Sequence, residues 1–143
     1  MIFLKLFYER KTGMKILVGY NELGAVSSAL ALAVKHAKAF DAEVDVVTSL
    51  EEGTENDIQD ISAAEKGLET VKQYLEKEKI SCKTHLMIRG VTPGEDLVSF
   101  AKETKIDEII IRVRRKSKVG KLLFGSTAQY VILEAQCPVV TVK

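Results

Sequence analysis

The sequence predicts an α/β fold: a three-layer, doubly wound sheet of five parallel strands with helices on both faces. Short apolar runs alternate along the chain with amphipathic stretches of helical period. Two of those runs, Ile16-Leu17-Val18 and Ile109-Ile110-Ile111, are unbroken by polar residues, as in strands buried on both faces. Right-handed crossovers between such strands then require a parallel sheet covered on each side. Length and composition agree, since 143 residues allow one domain and leave no room for two. A chain 46% hydrophobic and 29% charged, without tryptophan, is neither disordered, collagen-like nor a coiled coil. Lys plus Arg total 21 against 20 Asp plus Glu, so the net charge of +1 argues against a generic nucleic-acid or membrane binder. Any basic patch must be local.

The opening stretch, Met1 to Tyr8, is interrupted by Lys5 and followed by Glu9, Arg10 and Lys11. It falls short of the ~20 residues of a membrane span and carries no small-residue cleavage site. Residues 1–13 are therefore expected to form an N-terminal extension outside the core fold, an alternative start, with the domain occupying 14–143. The first strand centres on Ile16-Leu17-Val18, between Lys15 and Asn21. From Gly24 to Phe40, the residues Val26, Leu30, Ala33, Val34, Ala37 and Phe40 step by three and four and predict a helix with one apolar stripe. Glu43 to Ser49, rich in β-branched residues, reads as strand two, with Asp45 expected to face solvent near an edge.

The acidic segment Leu50 to Asp60 reads as a solvated loop running into the next helix. Ile61, Ala64, Leu68, Val71 and Leu75 then mark a long amphipathic helix, whose short stripe suits core packing better than a coiled-coil partner. Thr84 to Arg89 is expected to be strand three. After it, Thr92 is a cap, Pro93 suits the first helical position and Glu95 completes a capping box, so a helix starts there and buries Leu97, Val98 and Ala101. Ile109 to Ile111 is strand four, Ser126 to Ala135 the last helix, and Val139 to Val142 the fifth strand.

Metal and disulfide chemistry find little support. Cys82 and Cys137 are too few and too far apart for a zinc site or a disulfide framework, and read as reduced, cytoplasmic and structural. His36 falls in a helical pattern and His85 in a strand pattern, with no carboxylate or thiol at ligand spacing from either. No metal site is expected.

In a doubly wound sheet, ligands bind beyond the carboxyl ends of the strands where the strand order reverses, which directs attention to the loops after strands one and four. The second of these is unusual. Arg112, Arg114, Arg115, Lys116, Lys118 and Lys121 place six cations within ten residues, followed by Leu122, Leu123, Phe124, Gly125, Ser126 and Thr127. Gly125 permits close backbone approach, and the N–H groups of Ser126 and Thr127 at a helix start attract anions. A turn with an N-cap beside a solvated loop is the plainer reading. The position at the ligand edge favours a phosphate site.

Met14 to Lys143 resembles the universal stress protein family. The residues that carry the resemblance are Lys15-Ile16-Leu17-Val18, the Gly90 to Glu95 turn, Asp107 to Ile111, Leu122 to Thr127, Tyr130-Val131 and Cys137 to Val140. The resemblance implies a Rossmann-like, adenine nucleotide alpha hydrolase-like sheet and a homodimer formed through the last strand, Val139, Val140, Thr141 and Val142. In one branch of the family it also implies ATP bound by the pattern G-x2-G-x9-G-[ST], with magnesium accompanying the nucleotide. Gly125 and Ser126 match the end of that pattern, but its two earlier glycines fall on Arg112 and Arg115. An arginine there either blocks the nucleotide's approach or pairs with a phosphate. The aspartate usual after strand one corresponds to Asn21, which retains hydrogen bonding without charge, and the adenine-side position after strand two corresponds to Ser49.

The implied nucleotide-binding residues are Tyr20, Asn21, Ser49, Ile111, Arg112, Arg115, Gly125, Ser126 and Thr127. No catalytic residue is expected. Glu51 and Glu52 lie in an acidic loop, neither histidine is near the strand ends, and no Walker lysine pattern occurs, which argues against an ATPase. Two functions follow. One is a regulatory stress-response module that binds ATP without efficient hydrolysis; the other is a dimeric adaptor that binds no nucleotide and uses its basic loop for an acidic partner, either a protein or a nucleic-acid backbone. Neither involves a membrane or sequence-specific nucleic acid.

Overall fold

The computed structural model describes residues 13–21, 27–51, 57–113 and 125–143. Along them run β1 (Lys15–Gly19), α1 (Ser28–Phe40), β2 (Glu43–Ser49), α2 (Asp57–Lys77), β3 (Cys82–Met87), α3 (Pro93–Glu103), β4 (Glu108–Arg112), α4 (Ser126–Glu134) and β5 (Val139–Val142). The strands form one five-stranded sheet in the order β3-β2-β1-β4-β5. Every adjacent pair is parallel.

Because successive side chains of a strand point to opposite faces, each unbroken apolar run feeds two cores. Ile16, Val18, Val44, Val46 and Ile110 face one way, against Leu30, Ala33 and Ala37 of α1 and Leu68, Val71 and Leu75 of α2. Leu17, Val47, Ile109 and Ile111 face the other way, against Leu97, Phe100 and Ala101 of α3 and Ala128 and Val131 of α4. The distribution of helices follows from handedness. The chain first steps from β1 outward to β2 and β3, then returns past β1 to β4 and β5, and right-handed crossovers in opposite directions must use opposite faces. The reversal falls between β1 and β4, where connections leave to opposite sides and open a crevice at the strand ends.

Local signals act where expected. Thr92 Oγ1 accepts from Glu95 N at 3.3 Å and the Glu95 side chain accepts from Thr92 N at 3.3 Å, closing the capping box of α3. Ser27 Oγ caps α1 by accepting from Leu30 N at 3.2 Å, and Asp41 ends it in a left-handed conformation at φ 52°.

Several expectations need correction or restriction. Asp45 does not face solvent at an edge: β2 lies between β1 and β3, and Asp45 is buried with Oδ1 2.8 Å from His85 Nε2. A strand flanked on both sides gives its charged residue no open face, so a partner from β3 meets it. Phe40, placed on the buried stripe of α1, is the last residue of that helix, beyond the buried Ala37; it is 56% exposed and lies edge-on to His36. Strand three runs over Cys82–Met87 rather than Thr84–Arg89, and α2 begins at Asp57, inside the segment read as a loop. The expected extension up to residue 12, and the residues Gly24 and Val26 of the expected first helix, lie outside the described residues.

Candidate functional site

A cavity of about 350 Å³ opens at the carboxyl ends of the strands, within the size range of small-molecule sites. Gly19, Tyr20 and Asn21 enter it from the end of β1, Ile111, Arg112 and Val113 from β4, and Gly125, Ser126, Thr127 and Ala128 from the start of α4. Val47 and Ser49 of β2, Pro93 and Leu97 of α3, and Ser27 complete the lining among the described residues. The segment after β1 is drawn onto β2 by Tyr20 N donating to Val47 O at 2.9 Å and Thr48 Oγ1 donating to Tyr20 O at 2.7 Å. Val113 N likewise donates to Val142 O at 2.7 Å, which carries the β4 backbone past the strand end into the cavity wall.

The lining combines two chemistries. The α4 helix starts without a side-chain cap, because its N-cap residue is Gly125. The first helical backbone bond is Gln129 N to Gly125 O at 3.0 Å, so the N–H groups of Ser126, Thr127 and Ala128 precede the helical ladder and the positive end of the helix dipole faces the cavity. Val47, Pro93, Leu97, Ile111 and Val113 add an apolar wall. Gly19 lets that wall pack close against the end of β1: a Cβ there would stand 3.0 Å from Leu97 Cδ1 and 3.2 Å from Ile111 Cγ2.

Of the residues singled out from sequence, Tyr20, Asn21, Ser49, Ile111, Arg112, Gly125, Ser126 and Thr127 all line this one cavity. Arg115, with most of the basic run, lies outside the described residues. Sequence reasoning missed what stands behind Ser49. Its Oγ donates to Asp96 Oδ2 at 2.5 Å, and Arg89 Nε donates to Asp96 Oδ1 at 2.7 Å. Asp96 is fully buried in the first turn of α3. No local signal reveals it: in the sequence Asp96 is one of two acids in the first turn of a helix, where acids are ordinary, and only the seating of α3 against the sheet buries it.

His36 and His85 both lie away from the cavity, each paired with a carboxylate. His36 Nδ1 is 2.5 Å from Glu108 Oε1, and His85 is tilted on Phe100 at 4.7 Å besides its contact with Asp45. Among the described residues no group of three or more His, Cys, Asp or Glu is arranged to hold a metal ion, and no helix is long and apolar enough to cross a membrane.

Known proteins share this architecture and sequence. A universal stress protein of Methanocaldococcus jannaschii is 33% identical over 122 residues, covering 78% of this chain and 71% of its own. The structure of a universal stress protein from Archaeoglobus fulgidus superposes with a TM-score of 0.79 at 35% identity, covering 91% of this chain and 98% of that one. A universal stress protein from the same organism in complex with dAMP superposes with a TM-score of 0.74 at 32% identity and the same coverage. The model of the universal stress protein family matches residues 14–143. With nearly all of its described fold inside that match, the chain belongs to the universal stress protein family.

Proposed function

We propose that the chain is a regulatory module that binds an adenine nucleotide at the point where the strand order reverses, with ATP as the bound form and little turnover. The observation that carries this is the pairing of an uncapped helix start with an apolar wall in one cavity at the ligand edge of the sheet. Phosphate groups take the N–H groups of Ser126 and Thr127, with Gly125 allowing close approach; Tyr20 and Asn21 border the sugar; Ser49 and Ile111 border the base. The relative solved with dAMP, 32% identical over nearly the whole fold, supports an adenine ligand.

Arg112 stands exposed on the rim where the family's pattern has glycine. Its guanidinium, with Arg115, supplies phosphate contacts that replace backbone approach. None of the described lining residues is a carboxylate that would hold magnesium, so any such ion would come with the nucleotide. Little turnover is expected because none of the described lining residues is Asp, Glu or His, the usual groups for activating water. The proposal includes a cytoplasmic homodimer joined through β5, where Val139, Val140 and Val142 are only half-buried at the sheet edge.

Calorimetry on ligand-free protein with ATP, ADP and AMP, alongside a phosphate-release assay, tests this. Binding without release is expected, weakening with added salt and falling roughly tenfold in Arg115→Gly. Tighter binding in Arg115→Gly would mean that the arginine obstructs the site. No heat with any of the three would favour the second reading, a dimeric adaptor whose basic loop meets an acidic partner, which the arginine at 112 in place of glycine also suits.

A further inference from the structure

Ser49 is the polar side chain that β2 and α3 contribute to the cavity, among Val47, Pro93 and Leu97. The direction of its hydroxyl proton is fixed from behind. Asp96 is fully buried and ion-paired to Arg89, so both of its oxygens act as acceptors: Oδ1 receives Arg89 Nε at 2.7 Å and Oδ2 receives the Ser49 hydroxyl at 2.5 Å. A serine whose single proton is committed in this way offers only lone pairs to whatever else it meets.

We propose that the relay Arg89–Asp96–Ser49 makes Ser49 an acceptor-only contact that selects the exocyclic amino group of the bound base, with Asp96 as the positioning residue. This rests on the nucleotide reading given above and adds to it how the base is chosen. The wall around Ser49 is apolar, so a ligand edge without a donor would leave the oxygen desolvated and unpaired. An amino group satisfies it.

Affinities of AMP and of purine riboside 5′-monophosphate, which differ only in the 6-amino group, give the decisive ratio. The wild-type protein is expected to prefer AMP by about tenfold, the loss of one good hydrogen bond in an apolar wall. Ser49→Ala should reduce that preference to about twofold or less. Asp96→Asn should also abolish it, by a different route. Arg89 Nε claims the amide oxygen of the new side chain, its NH2 donates to Ser49 Oγ, and the serine proton turns into the cavity as a donor. A merely structural role for Asp96 would weaken both ligands equally and leave the ratio unchanged. If Asp96→Asn fails to fold, the Ser49→Ala ratio alone decides. Binding of both ligands with a tenfold preference intact in Ser49→Ala, or with no preference in the wild type, overturns the selection while leaving nucleotide binding standing. No binding of either ligand overturns the selection, and if ATP and ADP also fail to bind it overturns the nucleotide reading as well.

Discussion

Arg89→Met tests the buried relay without any ligand. In the native protein the guanidinium Nε lies 2.7 Å from Asp96 Oδ1, and the Asp96 side chain is 0% exposed against 42% for Arg89. Two opposite charges about 4 Å apart at an effective dielectric near 20 interact by about 4 kcal/mol. With two-fifths of the arginine open to water, solvent screening removes roughly half of that. What remains after substitution is a buried carboxylate supported by the Ser49 hydroxyl and by the amino-terminal end of α3, a dipole contribution of about 0.3–1 kcal/mol. A net loss of about 2 kcal/mol is expected, which at a slope of about 2 kcal/mol per molar urea moves the unfolding midpoint down by about 1 M at neutral pH. Methionine keeps the apolar stem, so lost packing contributes little. The same substitution in an Asp96→Asn background should cost far less, because the charge it would strand is no longer there. Equal cost in the two backgrounds, or a loss below about 0.5 kcal/mol in the wild type, would refute the argument that Arg89 supports this carboxylate.

At the β5 edge, Val140→Lys should convert a dimer to a monomer in light scattering at micromolar concentration, since Val140 is half-buried on a strand hydrogen-bonded on one side only; a wild-type monomer would refute the interface. Thr92→Ala removes one half of the capping box of α3 and should lower stability by about 1 kcal/mol in chemical denaturation. A change within error would show that Pro93 and the acidic first turn start the helix unaided. Burial pushes the thiols of Cys82 and Cys137 above the ordinary range. Because burial favours the neutral thiol, their alkylation by iodoacetamide at pH 8 should be slower than that of a free cysteine and accelerate only at higher pH. Rates equal to those of a cysteine peptide would contradict this.

The order of strands and helices was legible in the sequence because it depends on local periodicity. Ile16-Leu17-Val18 can feed cores on both faces only in a covered sheet, and Thr92, Pro93 and Glu95 start a helix through contacts within one turn. The cavity's lining was legible for a related reason: the handedness of crossovers puts the reversal between β1 and β4, and so brings Asn21, Arg112 and Ser126 to one edge. Pairings across the sheet were not legible. Asp45 finds His85 forty positions away, Glu108 finds His36 seventy-two positions away, and Asp96 joins Ser49 at a separation of forty-seven. Such contacts depend on strand register and on how deeply each helix seats against the sheet, which no local pattern encodes. Asp45 and Asp96 therefore resemble ordinary surface acids in the sequence. Only the packed layers, which deny them water, decide that each must have a partner, and in the case of Asp96 that the partner is a residue of the cavity wall.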